Sequence, residues 1–592
     1  MYWKQAFVYI LSYSIIWSHS TANAFTVGDT VNTTSGTVKG KASSLRADVF
    51  EYLGIPYAKS PKGELRFAAP VAVERASGLF DATSYVSLCT RIQFAANTSQ
   101  SPDCPSNRIP MRQAHLGGPV GEKITRALSQ EDSVLDEDCL TINIWTKPQE
   151  GEKKKAVLFW IYGGGFSIGS ASSPVYDGSI LADENDVVVV SFNYRLNIFG
   201  FSGAPGQPWN VGLLDQRLAL EWTRDNIERF GGDPTRITVF GQSAGGLSTD
   251  FLAYSYPKDP IAHGLIAHSG AASSSLSASS GTADIREAWF NVSTTLECGG
   301  SDAGEDTVSC MRSKSQEDLL TAIKSIGSQG LVGGFLPVGD GEVIPKDIAA
   351  EGKAGNFARI PFMTGNTDNE AGFFLITALA YSNLTAEQVA ALPMNILQRL
   401  GDILTLAGFT CPAAEAAGYR KLHDVPVWRY RYYGGNYSNT YIVPVGSAYH
   451  TSDLLPLFGT APAVTGVDDT DYEAKAAAYM RNAWATFAKN PKDGLASSQF
   501  KWPKFNALTR SQAQLSYGKQ TEASFIFNLQ TDKFCSVLKL YEGIAADLTK
   551  LISRLGGSGG ARLGQKLRDI FSEPLDTEAS FKKALDQLRV VA

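Results

Sequence analysis

A serine between glycines is the feature of this 592-residue chain that is best suited to chemistry. Gly241, Ser243 and Gly245 form a Gly-x-Ser-x-Gly pattern, directly after the apolar run RITVF and before a helical pattern. A serine on a tight strand-to-helix turn exposes its hydroxyl, and the helix N-terminus places backbone N–H groups beside it. The spacing alone is common, and a glycine-rich turn capped by a serine is the simpler interpretation. The strand–turn–helix context favours a nucleophilic serine at position 243.

A second glycine-rich segment, YGGGF over 162–166, follows the strand-like run AVLFWI. Glycines leave backbone N–H groups uncovered. Two of them, with the N–H of Ala244, are suited to holding the negative oxygen of a tetrahedral intermediate, and one such donor typically contributes ~10²–10³ in turnover. A phosphate-binding loop is the alternative, but no Lys-Ser/Thr pair follows and the Gly-x-Gly-x-x-Gly spacing is absent.

A serine nucleophile also needs a base, and the chain has six histidines. In strand–turn–helix serine enzymes the acid and then the histidine follow the serine along the chain. Only His423 and His450 lie far enough downstream. His423 lies beside a strand-like run, where we expect a structural role, whereas His450 lies in the loop-like segment GSAYHTSDLLPLFG. We therefore predict that His450 is the base and that activity falls on acidification, because a protonated imidazole cannot accept the serine proton.

The acid should lie between the serine and the histidine, after a strand. The segment TGNTDNEAGFF follows the strand-like run RIPFM and contains Asp368 and Glu370. Either carboxylate is suited to accept the imidazole N–H, and the residue types alone do not choose between them.

The elements that must position these residues are short apolar runs separated by helical patterns. A helical spacing of Leu214, Leu218, Trp222 and Ile227 lies between two of the runs, and a Gly-Gly pair follows it. Continuous apolar strands are typical of a sheet buried on both faces, and strands alternating with helices predict a parallel arrangement. We predict an α/β fold with a large, mostly parallel central sheet, built from CLTINIW, AVLFWIY, DVVVVSFNY, RITVFG, GLIAHSG, RIPFMTGN and VPVWRYRYYGG.

The composition excludes several classes of protein. Hydrophobic residues make up 44% of the chain and charged residues 19%, which argues against disorder and against coiled coils. Lys and Arg total 53 against 59 Asp and Glu, a net charge of -6. A mildly acidic chain without a basic block is a poor nucleic-acid binder, so no nucleic-acid partner is predicted.

The first residues predict export. An apolar run over 6–17 is followed by Ala-Asn-Ala at 22–24, a small-x-small cleavage pattern, so we assign 1–24 to a signal peptide and predict a secreted protein. The run is too short for a stable membrane span, which needs about 20 residues. The main domain then covers 25–545. A Gly-rich link near 560 connects it to a C-terminal extension, 546–592, for which we expect a charged, solvated helix.

Cysteines and glycosylation patterns fit an exported chain. There are seven cysteines, which can pair in an oxidising compartment and leave one over. The chain has no Cys-x-x-Cys pair and no His-x-x-x-His spacing, so no zinc site is predicted, and nothing implies another metal or a cofactor. Five Asn-x-Ser/Thr patterns predict surface glycans at Asn32, Asn97, Asn291, Asn383 and Asn436.

Taken together, the motifs resemble the type-B carboxylesterase/lipase family, the cholinesterase-like α/β-hydrolases, and the look is closest to its secreted fungal members. The resemblance runs from about residue 26 to 545 and rests on YLGIPYA, GELRF, EDCLTINIW, IYGGGF, FNYRLNIFGF, FGGDPTRITVFGQSAGG, NTDNEAGFF and HTSDLLPLFG. It implies the nucleophile at Ser243, the base at His450 and the acid at Glu370, three residues before Phe373. It also implies a hydrogen bond from Ser269 near that acid, and oxyanion donors at Gly164, Gly165 and Ala244.

The resemblance further implies three disulfides. The family pattern maps onto Cys89–Cys139, Cys298–Cys310 and Cys411–Cys535, which leaves Cys104 over. The alternative is Cys89–Cys104 with Cys139 unpaired.

One departure from the family bears on the substrate. Cholinesterases carry a tryptophan shortly before the EDCL segment to bind a quaternary ammonium, and no tryptophan lies between Cys89 and Cys139. A choline ester is therefore not the expected substrate. A lid, as in the lipases, is one interpretation of the same segment, but the segment does not read as a strongly amphipathic helix. We predict a secreted carboxylic ester hydrolase acting on a small-molecule or lipid ester; the alternatives are a lipase for longer-chain glycerides and a non-catalytic binding protein. The sequence does not indicate the oligomeric state.

Overall fold

An eleven-stranded mixed sheet forms the centre of the molecule. The computed structural model describes residues 30–85, 102–107, 118–129, 133–148, 154–274, 282–326, 334–374, 394–442, 447–541, 544, 547–548, 551, 560–572 and 574–591. The strands are β1 (Thr30–Thr33), β2 (Gly36–Lys39), β3 (Lys41–Ala42), β4 (Phe50–Pro56), β5 (Leu79–Asp81), β6 (Thr141–Thr146), β7 (Lys155–Ile161), β8 (Val188–Phe192), β9 (Gly232–Gln242), β10 (Gly264–His268), β11 (Phe362–Thr367), β12 (Val427–Tyr432), β13 (Arg510–Leu515) and β14 (Ser524–Phe527).

The helices lie between and after these strands. They are α1 (Gly118–Ser129), α2 (Ser179–Asn185), α3 (Asn197–Gly200), α4 (Val211–Asn226), α5 (Ala244–Ser255), α6 (Thr282–Thr295), α7 (Asp306–Ser313), α8 (Gln316–Ser325), α9 (Ile348–Ala354), α10 (Met394–Thr405), α11 (Cys411–Leu422), α12 (Leu454–Phe458), α13 (Ala461–Thr465), α14 (Asp471–Lys489), α15 (Leu529–Asp532), α16 (Cys535–Leu538), α17 (Gly560–Ile570) and α18 (Glu578–Val591).

The strand order of the large sheet is β14-β13-β12-β11-β10-β9-β7-β8-β6-β4-β3. All pairs between β8 and β13 are parallel. Antiparallel strands close both edges, with β6, β4 and β3 on one side and β14 on the other. A separate three-stranded sheet has the order β1-β2-β5. The predicted mostly parallel sheet is confirmed, and the seven predicted runs form β6 to β12.

The central strands are apolar because helices cover both faces of the sheet. Every residue of β7 and β8 is buried. Alternate residues of β7 point to opposite faces: Phe159 lines a small apolar space with residues of α4 and α5, whereas Trp160 packs edge-on against Phe458 of α12 at 5.0 Å. A sheet buried on both faces needs this nearly continuous hydrophobic sequence.

A second hydrophobic core lies beside the sheet and includes the C-terminal helices. Leu400 of α10, Leu567 of α17 and Leu585 of α18 are fully buried in it, and Ala371 belongs to the same cluster. Phe534 stacks on Phe581 with ring centroids 4.4 Å apart. The C-terminal extension is therefore not simply solvated, because the apolar faces of α17 and α18 pack against the rest of the chain. The domain limit at 545 remains a prediction.

Three disulfides are present among the described residues. Cys298–Cys310 and Cys411–Cys535 are confirmed. The predicted Cys89–Cys139 pair is wrong, and so is the alternative with Cys139 unpaired, because Cys104 is bonded to Cys139. The seventh cysteine, Cys89, lies outside the described residues. Both sulfurs of the corrected pair are buried, since Cys104 and Cys139 are 0% exposed.

Several surface features bear on the predicted export. Asn32, Asn291 and Asn436 are exposed, as glycan acceptors must be, whereas Asn97 and Asn383 lie outside the described residues. Within the described ranges, none of the helices is both long and apolar enough to cross a bilayer. The predicted signal peptide also falls outside those ranges, so it stays a prediction from the sequence.

The corrected pairing makes a testable prediction. Replacing Cys104 by Ala should lower the free energy of unfolding by about 2–4 kcal/mol, because it opens a covalent loop that restricts the unfolded chain. Guanidinium denaturation of the oxidised protein measures this loss. The matched variant Cys89→Ala should leave the unfolding free energy near that of wild type. Recovery of a Cys89–Cys139 linked peptide from a non-reducing digest would contradict the assignment.

Candidate active site

Ser243 lies on the sharp turn between β9 and α5. Its backbone has φ 58° and ψ −121°, a conformation that is strained for a residue other than glycine. Two contacts hold the turn: the Ser243 N–H donates to the His268 carbonyl at 2.9 Å, and the Ser243 carbonyl accepts from the Leu247 N–H at 2.9 Å. Ser243 is half-buried, so the turn presents its side chain to the cavity described below rather than to the core.

The flanking glycines are required by close backbone approach. A Cβ atom at Gly245 would lie 1.9 Å from the Ile161 carbonyl oxygen, and one at Gly241 would lie 2.3 Å from the Gly245 carbonyl oxygen. Real Cβ atoms do not come this close to backbone oxygen. The Gly-x-Ser-x-Gly pattern therefore reflects packing of the turn against the end of β7.

The glycine-rich loop after β7 packs directly on this turn. A Cβ at Gly163 would meet the Ser243 Cβ at 2.9 Å, and Gly164 and Gly165 have φ values of 120° and 59°. The amide N–H groups of Gly164, Gly165 and Ala244 donate to no acceptor among the described residues. These three donors are therefore free to meet a ligand oxygen.

Glu370 follows β11 and is fully buried. One carboxylate oxygen accepts from the Ser269 hydroxyl at 2.7 Å and from the Thr367 N–H at 2.6 Å. The other accepts a short hydrogen bond from His450 Nδ1. Asp368 points elsewhere: its carboxylate is 40% exposed and lies 3.5 Å from Arg431 Nε. Of the two candidate acids, the structure joins Glu370 to His450, and it bears out the contact expected of Ser269.

His450 is fixed by aromatic rings as well as by Glu370. Its ring centroid lies 4.9 Å from that of Phe374 and 5.1 Å from that of Phe409. Two hydrogen bonds hold the His450 loop against the turn that carries Glu370: the Asn369 N–H donates to the Ala448 carbonyl at 2.7 Å, and the Asn369 side-chain amide donates to Ser447 at 2.9 Å.

His423, by contrast, lies outside this site and contacts the Lys353 carbonyl at 3.0 Å.

The partner of His450 Nε2 is Gln242, which the sequence analysis missed. The side-chain amide nitrogen of Gln242 lies 3.0 Å from Nε2. Because Nδ1 donates to Glu370, the neutral ring accepts at Nε2, and Gln242 donates to it. No hydrogen bond between Ser243 and His450 is formed among the described contacts; without a substrate, such catalytic bonds are often not aligned. The only sequence signal for Gln242 was its place beside Ser243.

Ser243 and His450 line one cavity of about 560 Å³. The other lining side chains are uncharged, and most are apolar or carry a hydroxyl. Among the described residues, no Asp, Glu, Lys or Arg lines the cavity. Its other lining residues are Thr125, Leu128, Ser129, Gly163, Gly164, Ile168, Gly169, Tyr176, Gln242, Phe373 and Thr451.

Helix α1 forms one wall of this cavity through Thr125, Leu128 and Ser129. Ile124 on its inner face is buried, whereas Lys123 and Arg126 are exposed. The segment was not expected to form a strongly amphipathic helix, whereas α1 has a buried side and an exposed side. Helix α1 has few apolar residues, and its packing against the cavity shows which side is buried.

A buried carboxylate supports the glycine-rich loop from outside the predicted site. Asp103, next to Cys104, accepts a short hydrogen bond from Ser170 and one of 2.7 Å from Ser172. Ser170 and Ser172 lie four and six residues after Phe166, the last residue of the glycine-rich segment. The Cys104–Cys139 disulfide thus lies beside an anchor of the candidate oxyanion donors.

No cluster of three or more His, Cys, Asp or Glu side chains in the described part of the chain has the proximity needed to bind a metal ion.

Comparison with known proteins gives a consistent family. The sequence model of the Carboxylesterase family matches residues 28–392 and 381–534. The chain is 33% identical over 520 residues to "Chlorogenic acid esterase" of Aspergillus niger, covering 84% of this chain and 92% of that protein. It is 32% identical over 511 residues to "Para-nitrobenzyl esterase" of Bacillus subtilis (strain 168), covering 81% and 93%.

A third relative has a lipase name. "Secreted lipase 5" of Gibberella zeae is 31% identical over 500 residues, covering 80% of this chain and 87% of the relative. The family match spans most of the chain, and the fold described above agrees with it. The chain belongs to the carboxylesterase family: it is a carboxylic ester hydrolase with the α/β-hydrolase fold.

Proposed function

We propose that the protein is a secreted serine esterase that works through an acyl-enzyme, with Ser243 as nucleophile, His450 as base and Glu370 as the acid that orients it. The observation that carries this proposal is the hydrogen bond from His450 Nδ1 to the buried Glu370, which leaves Nε2 directed at the turn that bears Ser243. A serine–histidine–carboxylate arrangement is recognised by such geometry and by the role of each group.

In the first step His450 Nε2 takes the proton of the Ser243 hydroxyl while Oγ attacks the ester carbonyl. The Gln242 amide gives up its bond to Nε2 so that the serine hydroxyl can bind there. Glu370 keeps Nδ1 protonated and stabilises the imidazolium. His450 then gives the proton to the leaving alcohol, and the acyl group stays on Ser243.

The negative oxygen of the tetrahedral intermediate is held by the N–H groups of Gly164, Gly165 and Ala244. Their lack of partners among the described residues supports this role. Donors fixed in advance need no reorganisation when the charge develops. In the second step water attacks the acyl-enzyme, again with His450 as base, and the acid product leaves.

We also propose that the mature protein is extracellular. The pattern over 1–24, the three disulfides and the three exposed glycan acceptors support this, because disulfides persist in oxidising compartments. The secreted fungal lipase among the relatives is consistent with it.

The nucleophile is tested with Ser243→Ala. Without the hydroxyl no acyl-enzyme forms, so kcat/KM for p-nitrophenyl acetate should fall by about 10⁴-fold or more. A fluorophosphonate should modify Ser243 in the wild type and leave the variant unlabelled. Ser255→Ala, at the far end of α5, is the control and should hydrolyse and label as wild type does. Equal labelling of both variants, or none of the wild type, would favour a binding protein.

The acid is tested with a pair of isosteric variants. Glu370→Gln should lower kcat by about 10³–10⁴-fold, because an amide cannot stabilise the imidazolium or hold Nδ1 protonated. Asp368→Asn, two residues away and paired with Arg431, should retain near wild-type kcat. Stopped assays at a fixed pH give both values. If Asp368→Asn were the variant that lost activity, the acid would be misassigned.

We propose that the substrate is an uncharged ester, because the described lining of the cavity carries no charged side chain except the titratable His450. Acetylcholine and its neutral isostere 3,3-dimethylbutyl acetate separate shape from charge. The neutral ester should have the higher kcat/KM. A preference for acetylcholine would contradict this proposal.

A lipase is the second candidate, favoured by the amphipathic α1 wall and the lipase-named relative. A sharp rise in rate at the solubility limit of a long-chain glyceride would support it over a plain esterase.

A further inference from the structure

A buried histidine–aspartate pair lies behind the proposed triad and has no part in the mechanism above. His268 Nδ1 is 3.2 Å from an oxygen of Asp453, and the two residues are 185 apart in the chain. His268 is 0% and Asp453 1% exposed. Burying ionisable groups this deeply costs folding free energy unless they are paired, so this pair is a candidate for a functional role.

The protonation of the pair follows from a third side chain. The indole N–H of Trp484, on α14, donates to His268 Nε2 at 2.9 Å. Because an indole nitrogen is only a donor, Nε2 must accept, and the proton of the neutral ring resides on Nδ1. Nδ1–H then donates to Asp453. With Asp453 ionised, the pair carries one net negative charge, located on that carboxylate.

This pair connects the segments that carry all three proposed catalytic residues. The His268 carbonyl accepts the N–H of Ser243, and the next residue, Ser269, donates its hydroxyl to Glu370. The His268 ring reaches Asp453, which lies three residues after His450 at the start of α12. The loop between is tightly wound, because the Leu454 N–H donates to the Thr451 carbonyl at 3.0 Å.

One oxygen of Asp453 has no hydrogen-bond partner among the described residues, and it is buried. Its charge is therefore only partly neutralised and acts on its surroundings. Among the described residues, the titratable groups on which the Asp453 charge acts are tyrosines. Burial first, and then the Asp453 charge, raises the pKa of Tyr176, Tyr430 and Tyr449, so these hydroxyls stay neutral.

Tyr432 behaves in the same way: burial raises the pKa of its hydroxyl, with smaller contributions from neighbouring groups that include Asp453. The Glu370 carboxylate also acts on Tyr430, so the two carboxylates face the same buried ring. With these four tyrosines neutral, Asp453 and Glu370 are the two acidic groups that act on Tyr430 in the described part of the chain.

We propose that His268 and Asp453 are a positioning pair for the base: the hydrogen bond between them holds the His450 loop in register with the Ser243 turn, and the charge on Asp453 stabilises the imidazolium that forms at His450. Trp484 maintains the charge by keeping His268 neutral. This inference rests on the proposed roles of Ser243 and His450.

Two variants test the charge on Asp453 while each keeps a hydrogen bond between the two positions. Asp453→Asn keeps an oxygen that accepts from His268 but removes the charge, so the acid limb of the kcat/KM profile should move to lower pH by about 0.5–1 unit, and kcat should fall, with KM unchanged. His268→Asn keeps a donor to Asp453 and leaves the charge in place. Its acid limb should coincide with that of wild type.

A role limited to folding predicts another pattern, in which both variants lose thermal stability and active-site titre while the midpoint of the acid limb stays in place. That result would overturn the proposal. Ser452→Ala, which removes a neighbouring buried hydroxyl, is the control for disturbance of the loop. Active-site titration with a fluorophosphonate normalises every kcat to the folded fraction.

Trp484→Phe tests the pair if Asp453→Asn does not fold. Without the indole N–H, His268 Nε2 is free to take a proton as the pH falls, and the cation then cancels the Asp453 charge. The acid limb should again move to lower pH, and an unmoved limb would overturn the inference.

Ser243→Ala distinguishes a failure of the proposed triad from a failure of the positioning pair. If that variant stays active, the proposed triad is wrong; if it is inactive while Asp453→Asn matches wild type, only the positioning pair is wrong.

Discussion

The buried carboxylate of Glu370 is the constraint around which this site is built. A fully buried carboxylate costs much less free energy when donors satisfy its oxygens. Here the donors come from three places in the chain: Ser269 after β10, Thr367 at the end of β11, and His450 in the loop before α12. Moving any of these elements would remove one of the three donors to the buried charge, so the site and the carboxyl edge of the sheet are held in place together.

The backbone packing beneath Ser243 also fixes the position of its turn. The turn at Ser243 touches the ends of β7 and β10 so closely that Gly245 has no room for a side chain beside the Ile161 carbonyl. The strained φ of Ser243 is maintained by that contact and by the bond from its N–H to His268. The segment that follows the proposed oxyanion donors is held by hydrogen bonds from Ser170 and Ser172 to Asp103, beside the Cys104–Cys139 disulfide.

The second core gives the C-terminal helices a structural place near the site. Ala371, which directly follows Glu370, packs in the same cluster as α10, α17 and α18. The turn after Glu370 therefore shares a hydrophobic cluster with a segment that reads as a polar extension in the sequence. Its charged residues cover the surface, and its leucines and phenylalanines stabilise the packing behind the turn.

Local rules were enough for much of this molecule. The apolar runs identified β6 to β12, and the glycines around Ser243 identified the turn, because strand burial and steric exclusion depend on residues that are close in the chain. Chain order reduced the six histidines to His423 and His450, and the loop-like segment around His450 favoured the latter. The family resemblance selected Glu370 over Asp368. Other features depend on where distant loops meet. The tertiary structure alone decided four of them: the bonding of Cys104 rather than Cys89 to Cys139, the Gln242 contact to His450, the packing of α1 on the cavity, and the pairing of His268 with Asp453 across 185 residues. Hydrogen bonds and disulfides act only over a few ångströms, and no local pattern records which distant groups will come that close.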